Sequence, residues 1–204
     1  ILQKIYSEPQ KPDLIAKSIE AVKRGGGNAA VSFVPQNAKR MAPIAVEAGA
    51  DMIVVQATVV TARHSSKSLK GLVFSDLTNE IKVPVLVGNT VSYDVTKELM
   101  QQGIHGVLVG VGPGSVCTSR EVLGIGIPQV SATVECAAAR DDFYKETGKY
   151  VPIITDGGIR TGGDVCKSFA AGANAVMLGS PFAKCEEAPA HGYHWGMATR
   201  HDSL

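Results

Sequence analysis

Residues 83–110 read VPVLVGNTVSYDVTKELMQQGIHGVLVG. Two short apolar runs, VPVLVG (83–88) and GVLVG (106–110), flank a stretch that reads as a helix from Ser92 to Gln102, with Gly103 as its stop. Runs that are apolar throughout suit strands buried on both faces. A strand, a helix and a second strand joined by short connections make the repeating unit of a parallel sheet.

The same unit recurs in both directions. Upstream lie AAVSFV (29–34), a helix over Asn37–Ala48, DMIVVQ (51–56) and a loose helical region over His64–Glu80. Downstream lie a long helix over Gln129–Thr147 stopped by Gly148, VPIIT (151–155), a helix over Gly163–Ala171 and NAVMLG (174–179). The chain therefore predicts an α/β fold of roughly six βα units. An open doubly wound sheet and a closed (β/α)8 TIM barrel both satisfy that pattern. The turns GAD (49–51), GIHG (103–106) and GAN (172–174) recur just before strands and favour the barrel. A full barrel takes about 250 residues, and this chain has 204. The expectation is one domain, residues 1–204, incomplete at its first strands.

Bulk composition is that of an ordinary globular chain, with 45% hydrophobic and 19% charged residues and a net charge of +1. Neither a nucleic-acid nor a membrane partner is expected, and no apolar stretch is long enough to span a bilayer. The four cysteines, Cys117, Cys136, Cys166 and Cys185, lie far apart with no CxxC pair. That spacing excludes a zinc ribbon or a disulfide scaffold and fits a reducing, cytoplasmic setting. Cys136 and Cys166 fall in helices and read as core filling.

In a barrel the chemistry sits at the carboxyl ends of the strands. Gln56, Gly88–Asn89, the loop GVGPGSVCTSREVLGIGIPQ (110–129), Asp156–Gly157–Gly158 and Gly179–Ser180 all lie there. DGGIRTGGD (156–164) and LGSPFA (178–183) fit a phosphate site, where glycines let the backbone approach an anion. The same glycines would serve as tight turns. Asp156 suits a ribose diol, while Thr161 and Asp164 suit capping of the next helix. Cys117 sits among glycines and hydroxyls, where loop N–H groups favour a thiolate and a nucleophilic role.

The loop at 110–129, the segment PIITDGGIRTGGDVCKSFAAGANAVMLGSPFA and the stretch HWGMA (194–198) resemble the IMP dehydrogenase and GMP reductase superfamily. The resemblance implies that Cys117 attacks carbon 2 of the purine, with Ser119 in the position of a proton-relay threonine. It implies that Ser115, Gly157, Gly158, Gly179 and Ser180 hold the 5′-phosphate and Asp156 the ribose. Gly196, Met197 and Ala198 would lie along the base, flanked by His191 and His194. Asn89, Gln56 and Gly110 would face an NAD cofactor. Carbonyls of Gly112, Gly114 and Cys117 would hold a monovalent cation, normally K+. The substrate would be IMP, oxidised to XMP, with reduction of GMP by NADPH as the alternative, or nucleotide binding without turnover. A homotetramer is implied.

The motifs pull towards different branches. Ile127, DGGIR and Gly179–Ser180 look dehydrogenase-like, whereas SATVEC (131–136) resembles the reductase helix. The whole is most similar to a short bacterial branch without CBS modules, and residues 1–28 leave no room for such an insertion. Gln56 stands in place of an Asp that contacts the cofactor ribose, and Leu108 in place of a basic residue near the nicotinamide. The family's mobile C-terminal flap would lie past Leu204.

Overall fold

The structure, a computed structural model, describes residues 9, 11–62, 71–188 and 190–194. Six strands, β1 (Ala30–Phe33), β2 (Met52–Gln56), β3 (Val85–Thr90), β4 (Gly106–Val109), β5 (Ile153–Asp156) and β6 (Ala175–Met177), form one sheet in the order of the sequence. Every neighbouring pair is parallel. A doubly wound sheet reverses its order at a switch point. This one does not, and it is an incomplete (β/α)8 barrel.

The helices are α1 (Pro12–Arg24), α2 (Pro35–Glu47), α3 (Phe74–Glu80), α4 (Tyr93–Gln101), α5 (Ser119–Leu123), α6 (Gln129–Thr147), α7 (Gly162–Ala170) and α8 (Ser180–Ala183). Local chemistry sets their ends. Ser92 caps α4 by accepting from the Val95 N–H, a contact of about 1 kcal/mol. Gly148 ends α6 in the left-handed region at φ 72°. Sequence reading of His64–Glu80 as helical needs correction, because among the described residues only Phe74–Glu80 is helix. The short helices α5 and α8 and the helix α1 were not foreseen.

Side chains alternate across the sheet with the strand period of two. Ile53, Val55, Val85, Val87, Val107, Val109 and Ile153 pack against Met41, Leu99, Met100, Cys136 and Phe143 of the helices. On the other face Val54, Leu86 and Leu108 form a separate cluster with Met52, Ile154 and Met177. That second cluster holds only strand residues, so it is the barrel interior. Following the interior line one position further along β2 and β5 leads from Val54 to Gln56 and from Ile154 to Asp156. An apolar floor thus gives way to polar groups at the carboxyl ends.

Candidate active site

Three strand ends supply one hydrogen-bonded cluster. The Gln56 amide donates to Asn89 Oδ1 at 2.9 Å and to Asp156 Oδ2 at 2.8 Å. The Asn89 amide donates to the same Asp156 oxygen at 2.8 Å and to the Gly110 carbonyl at 2.9 Å. Both amides therefore use both hydrogens within the protein. Asp156 Oδ1 accepts no bond from the described residues and remains an acceptor for a ligand. Burial pushes the Asp156 carboxyl above the usual carboxylate range, and the Asn89 and Gln56 donors oppose that rise.

Gly110 is where this cluster meets the cysteine loop. Its φ is +145°, and a Cβ there would strike the Asp156 carbonyl and come within 2.8 Å of the Gln129 amide. Gln129 itself donates to the Val109 carbonyl at 2.6 Å and the Asp156 carbonyl at 3.1 Å. It ties the ends of β4 and β5 together from the first turn of α6. Sequence reasoning missed this residue; its place directly after the loop, as the first residue of the long helix, was the available signal.

Beyond Gly110 the chain makes a folded excursion. The Cys117 N–H donates to the Gly114 carbonyl at 3.1 Å, and Ser119 opens α5. Arg120 reaches across to the Ile127 carbonyl at 2.6 Å and holds the return of the loop. Cys117 is half-buried, and its Sγ donates to Ser119 Oγ at 3.3 Å. The thiol opens on a cavity of about 220 Å³ lined by Gln56, Ala57, Thr58, Asn89, Gly110–Gly114, Val116–Ser119, Asp156 and Gly157.

A second cavity of about 240 Å³ adjoins it, with Gly114, Val116, Asp156 and Gly157 common to both. Ser115, Gly158, Arg160, Gly179, Ser180 and His194 line its far side. Ser115 Oγ and Ser180 Oγ are 2.5 Å apart, and Ser180 Oγ is 3.1 Å from His194 Nε2. Thr161 and Asp164 form a reciprocal capping box on α7 instead. Lys167 and the N–H groups of Arg160 and Thr161 hold the Asp164 carboxyl well below the usual range. The α7 N-terminus is thus closed by its own cap, and the loop before it lines the cavity.

Most site residues expected from sequence gather around these two cavities. Gly196, Met197, Ala198 and His64 lie outside the described residues. Leu108 is fully buried in the barrel interior and lines neither cavity. Cys136 is core, as expected. Cys166 is exposed on α7, which buries only Ser168, so its reading as core is corrected.

Residues 14–200 match the IMP dehydrogenase / GMP reductase domain. The chain belongs to that family. It is similar to the crystal structure of an IMP dehydrogenase/GMP reductase-like protein from Corynebacterium glutamicum, with a TM-score of 0.84 and 38% identity over 94% of this chain and 50% of that one. Inosine-5′-monophosphate dehydrogenase of Aquifex aeolicus is 45% identical over 161 residues, covering 79% of this chain and 31% of the relative. GMP reductase of Leishmania donovani is 42% identical over 164 residues, again 79% of this chain and 31% of the relative. Relatives matched over all of this chain include an uncharacterized oxidoreductase of Mycobacterium bovis, 38% identical. The chain spans about half, 55%, of that relative's length.

Proposed function

We propose that this protein oxidises IMP to XMP with NAD through a covalent bond between Cys117 and carbon 2 of the purine. One observation carries the reading. A thiol, a half-buried carboxylate and a pair of serine hydroxyls follow one another along two adjoining cavities, an order that would suit base, ribose and phosphate in turn. Ser115, Gly157, Gly158, Gly179 and Ser180 would hold the phosphate, whose binding energy positions the ring. Asp156 Oδ1 would accept from the ribose diol. Gly196, Met197 and Ala198 would complete the base contact.

In the proposed reaction the Cys117 thiolate adds to carbon 2 and makes it tetrahedral. Bound NAD supplies the acceptor for the hydride that leaves carbon 2. Water then attacks the thioimidate, XMP departs and the thiol is restored. Ser119, in contact with Sγ, would hold the proton exchanged at sulfur. The residues fit this assignment with one adjustment. Gln56, Asn89 and Gly110 line the thiol cavity where NAD would lie, but both amides spend their N–H groups within the protein, on Asp156, Asn89 Oδ1 and the Gly110 carbonyl. They would meet NAD as wall rather than as donors.

The cation site is proposed at the Gly112, Gly114 and Cys117 carbonyls. The Gly114 oxygen accepts the Cys117 N–H and keeps a second lone pair for K+. The setting we propose is a cytoplasmic homotetramer. Among the described residues no helix is long and apolar enough to cross a membrane.

The test is NADH appearance at 340 nm with IMP, NAD and K+, using the whole protein of which these residues are part. We expect turnover that vanishes in Cys117→Ala. The similar identities to a dehydrogenase and a reductase give GMP reduction as the second reading. Consumption of NADPH with GMP, and no NADH with IMP, would select it. Nucleotide binding without turnover in either direction would reject both.

A further inference from the structure

We propose that Gln129 is a positioning residue for the proposed reaction, setting the offset between the loop that carries Cys117 and the strand ends that would hold the nucleotide. This role presupposes the thiol and nucleotide assignments made above. Cys117 follows β4, whereas Asp156, Gly157, Gly158, Gly179 and Ser180 end or follow β5 and β6. Thiol attack on carbon 2 therefore depends on how the β4 loop is set against β5. The ladder between these two strands ends at the pair Val109 and Thr155. At that end the Gln129 side chain spans the two backbones. Its Nε2 gives one hydrogen to the Val109 carbonyl at 2.6 Å and the other to the Asp156 carbonyl at 3.1 Å.

The amide can face only one way, because its oxygen in place of its nitrogen would oppose two carbonyl oxygens. Oε1 is buried and takes no bond among the described residues, so the amide's hydrogen bonds go to the two strand ends. Gly110 leaves room for it, since a Cβ there would come within 2.8 Å of Nε2 and 2.9 Å of Oε1. The helix that carries Gln129 is itself pinned to β5. Thr133, one turn on, spends its hydroxyl hydrogen on the Gln129 carbonyl at 2.8 Å, so the fully buried Thr155 donates to Thr133 Oγ1 at 2.9 Å. A polar strap thus runs from β5 through α6 to the root of the cysteine loop. Such a strap acts on attack geometry more than on affinity. Reacting atoms must approach to about 3–3.5 Å, and a displacement of about 1 Å can cost about 10²-fold in rate. Of the proposed phosphate anchors only Ser115 moves with the β4 loop, so nucleotide affinity should change less.

The experiment compares the whole protein with its Gln129→Met, Gln129→Glu and Cys136→Ala variants. It measures kcat in the full reaction and, by calorimetry without cofactor, the Kd of the nucleotide that turns over, IMP or GMP. Methionine keeps the length of the side chain without a donor, and an ionised glutamate keeps its shape but donates nothing. Cys136 lies on the same helix and bonds to Thr96 of α4, so Cys136→Ala perturbs α6 without touching either strand end. We expect kcat to fall about 10-fold or more in both Gln129 variants while Kd stays within about threefold, and Cys136→Ala to keep its kcat. A kcat loss no greater than that of Cys136→Ala, a weaker Kd with kcat unchanged, or failure of both Gln129 variants to fold would overturn the positioning role and leave the nucleotide reading standing. No turnover of either nucleotide by the wild type would overturn that reading, and this role with it.

Discussion

Cys117 and Cys136 belong to the same βα unit, one in the loop after β4 and one in α6. Cys136 is fully buried, accepts a bond from Thr96 Oγ1 at 3.1 Å, and burial pushes its thiol up to about 11. Cys117 is half-buried, touches a hydroxyl and faces a cavity floored by a carboxylate. The residue type is identical, and the surroundings assign opposite tasks. Buried in apolar packing, a thiol is a small hydrophobe; in a glycine-rich strand-end loop it is available to a ligand.

The largest contrast is in turnover. Cys117→Ala should lower kcat by at least about 10³-fold, while Cys136→Ala should leave it within about twofold. Steady-state rates of the two variants measure this, and comparable losses would break the distinction between the two sites. Alkylation sharpens it. With iodoacetamide at pH 8 the Cys136 thiolate fraction is about 10⁻³ for a thiol near 11. Peptide mass spectrometry should show Cys117, Cys166 and Cys185 modified while Cys136 stays free until the protein unfolds. IMP should protect Cys117 alone.

How much of this contrast the sequence carried depends on the kind of feature. β3 and β4 were legible because every residue of both is buried and their runs VLVG (85–88) and GVLV (106–109) are apolar throughout, while the polar end of β3, Asn89–Thr90, lies past the run expected at 83–88. Gly103 and Gly148 marked helix ends through their backbone freedom. Cys117 was legible from its glycines and hydroxyls. What stayed hidden depends on tertiary approach. Gln129 looks like any helix-opening glutamine until β4 and β5 bring two carbonyls to it. That Gln56 and Asn89 each give one hydrogen to Asp156, and the other to Asn89 Oδ1 or the Gly110 carbonyl, depends on the register of three strands. Cys166 was misread because α7 packs one residue deeply, and its apolar spacing does not reveal which face is covered.

The Cys117 side of the comparison relies on Asp156 being ionised to accept two hydroxyls. Gln56→Leu removes one of the two amide donors that favour the carboxylate. A hydrogen bond to the charged form favours it, so losing this donor should push the Asp156 carboxyl further above the usual carboxylate range. The acid limb of IMP binding should move to higher pH, with little change on the alkaline side. A profile of KM against pH checks it. An unmoved acid limb would separate Asp156 from nucleotide binding.

The smallest expected effect belongs to Cys136 and concerns stability alone. Cys136→Ala leaves a small void and deprives buried Thr96 of its acceptor, at about 1–2 kcal/mol. Cys136→Ser restores an acceptor and should recover part of that loss. The pH dependence gives the sharper test. Burial raises the thiol from 9.0 to about 11, so the folded state holds a proton that the unfolded state releases above pH 9. This contribution is complete below about pH 9 and is lost as pH rises towards about 11. Denaturant midpoints should therefore decline more steeply over that interval in the wild type than in Cys136→Ala, while kcat for the two stays equal. Parallel declines would mean that the Cys136 thiol ionises as readily folded as unfolded, and burial would no longer distinguish it from Cys117.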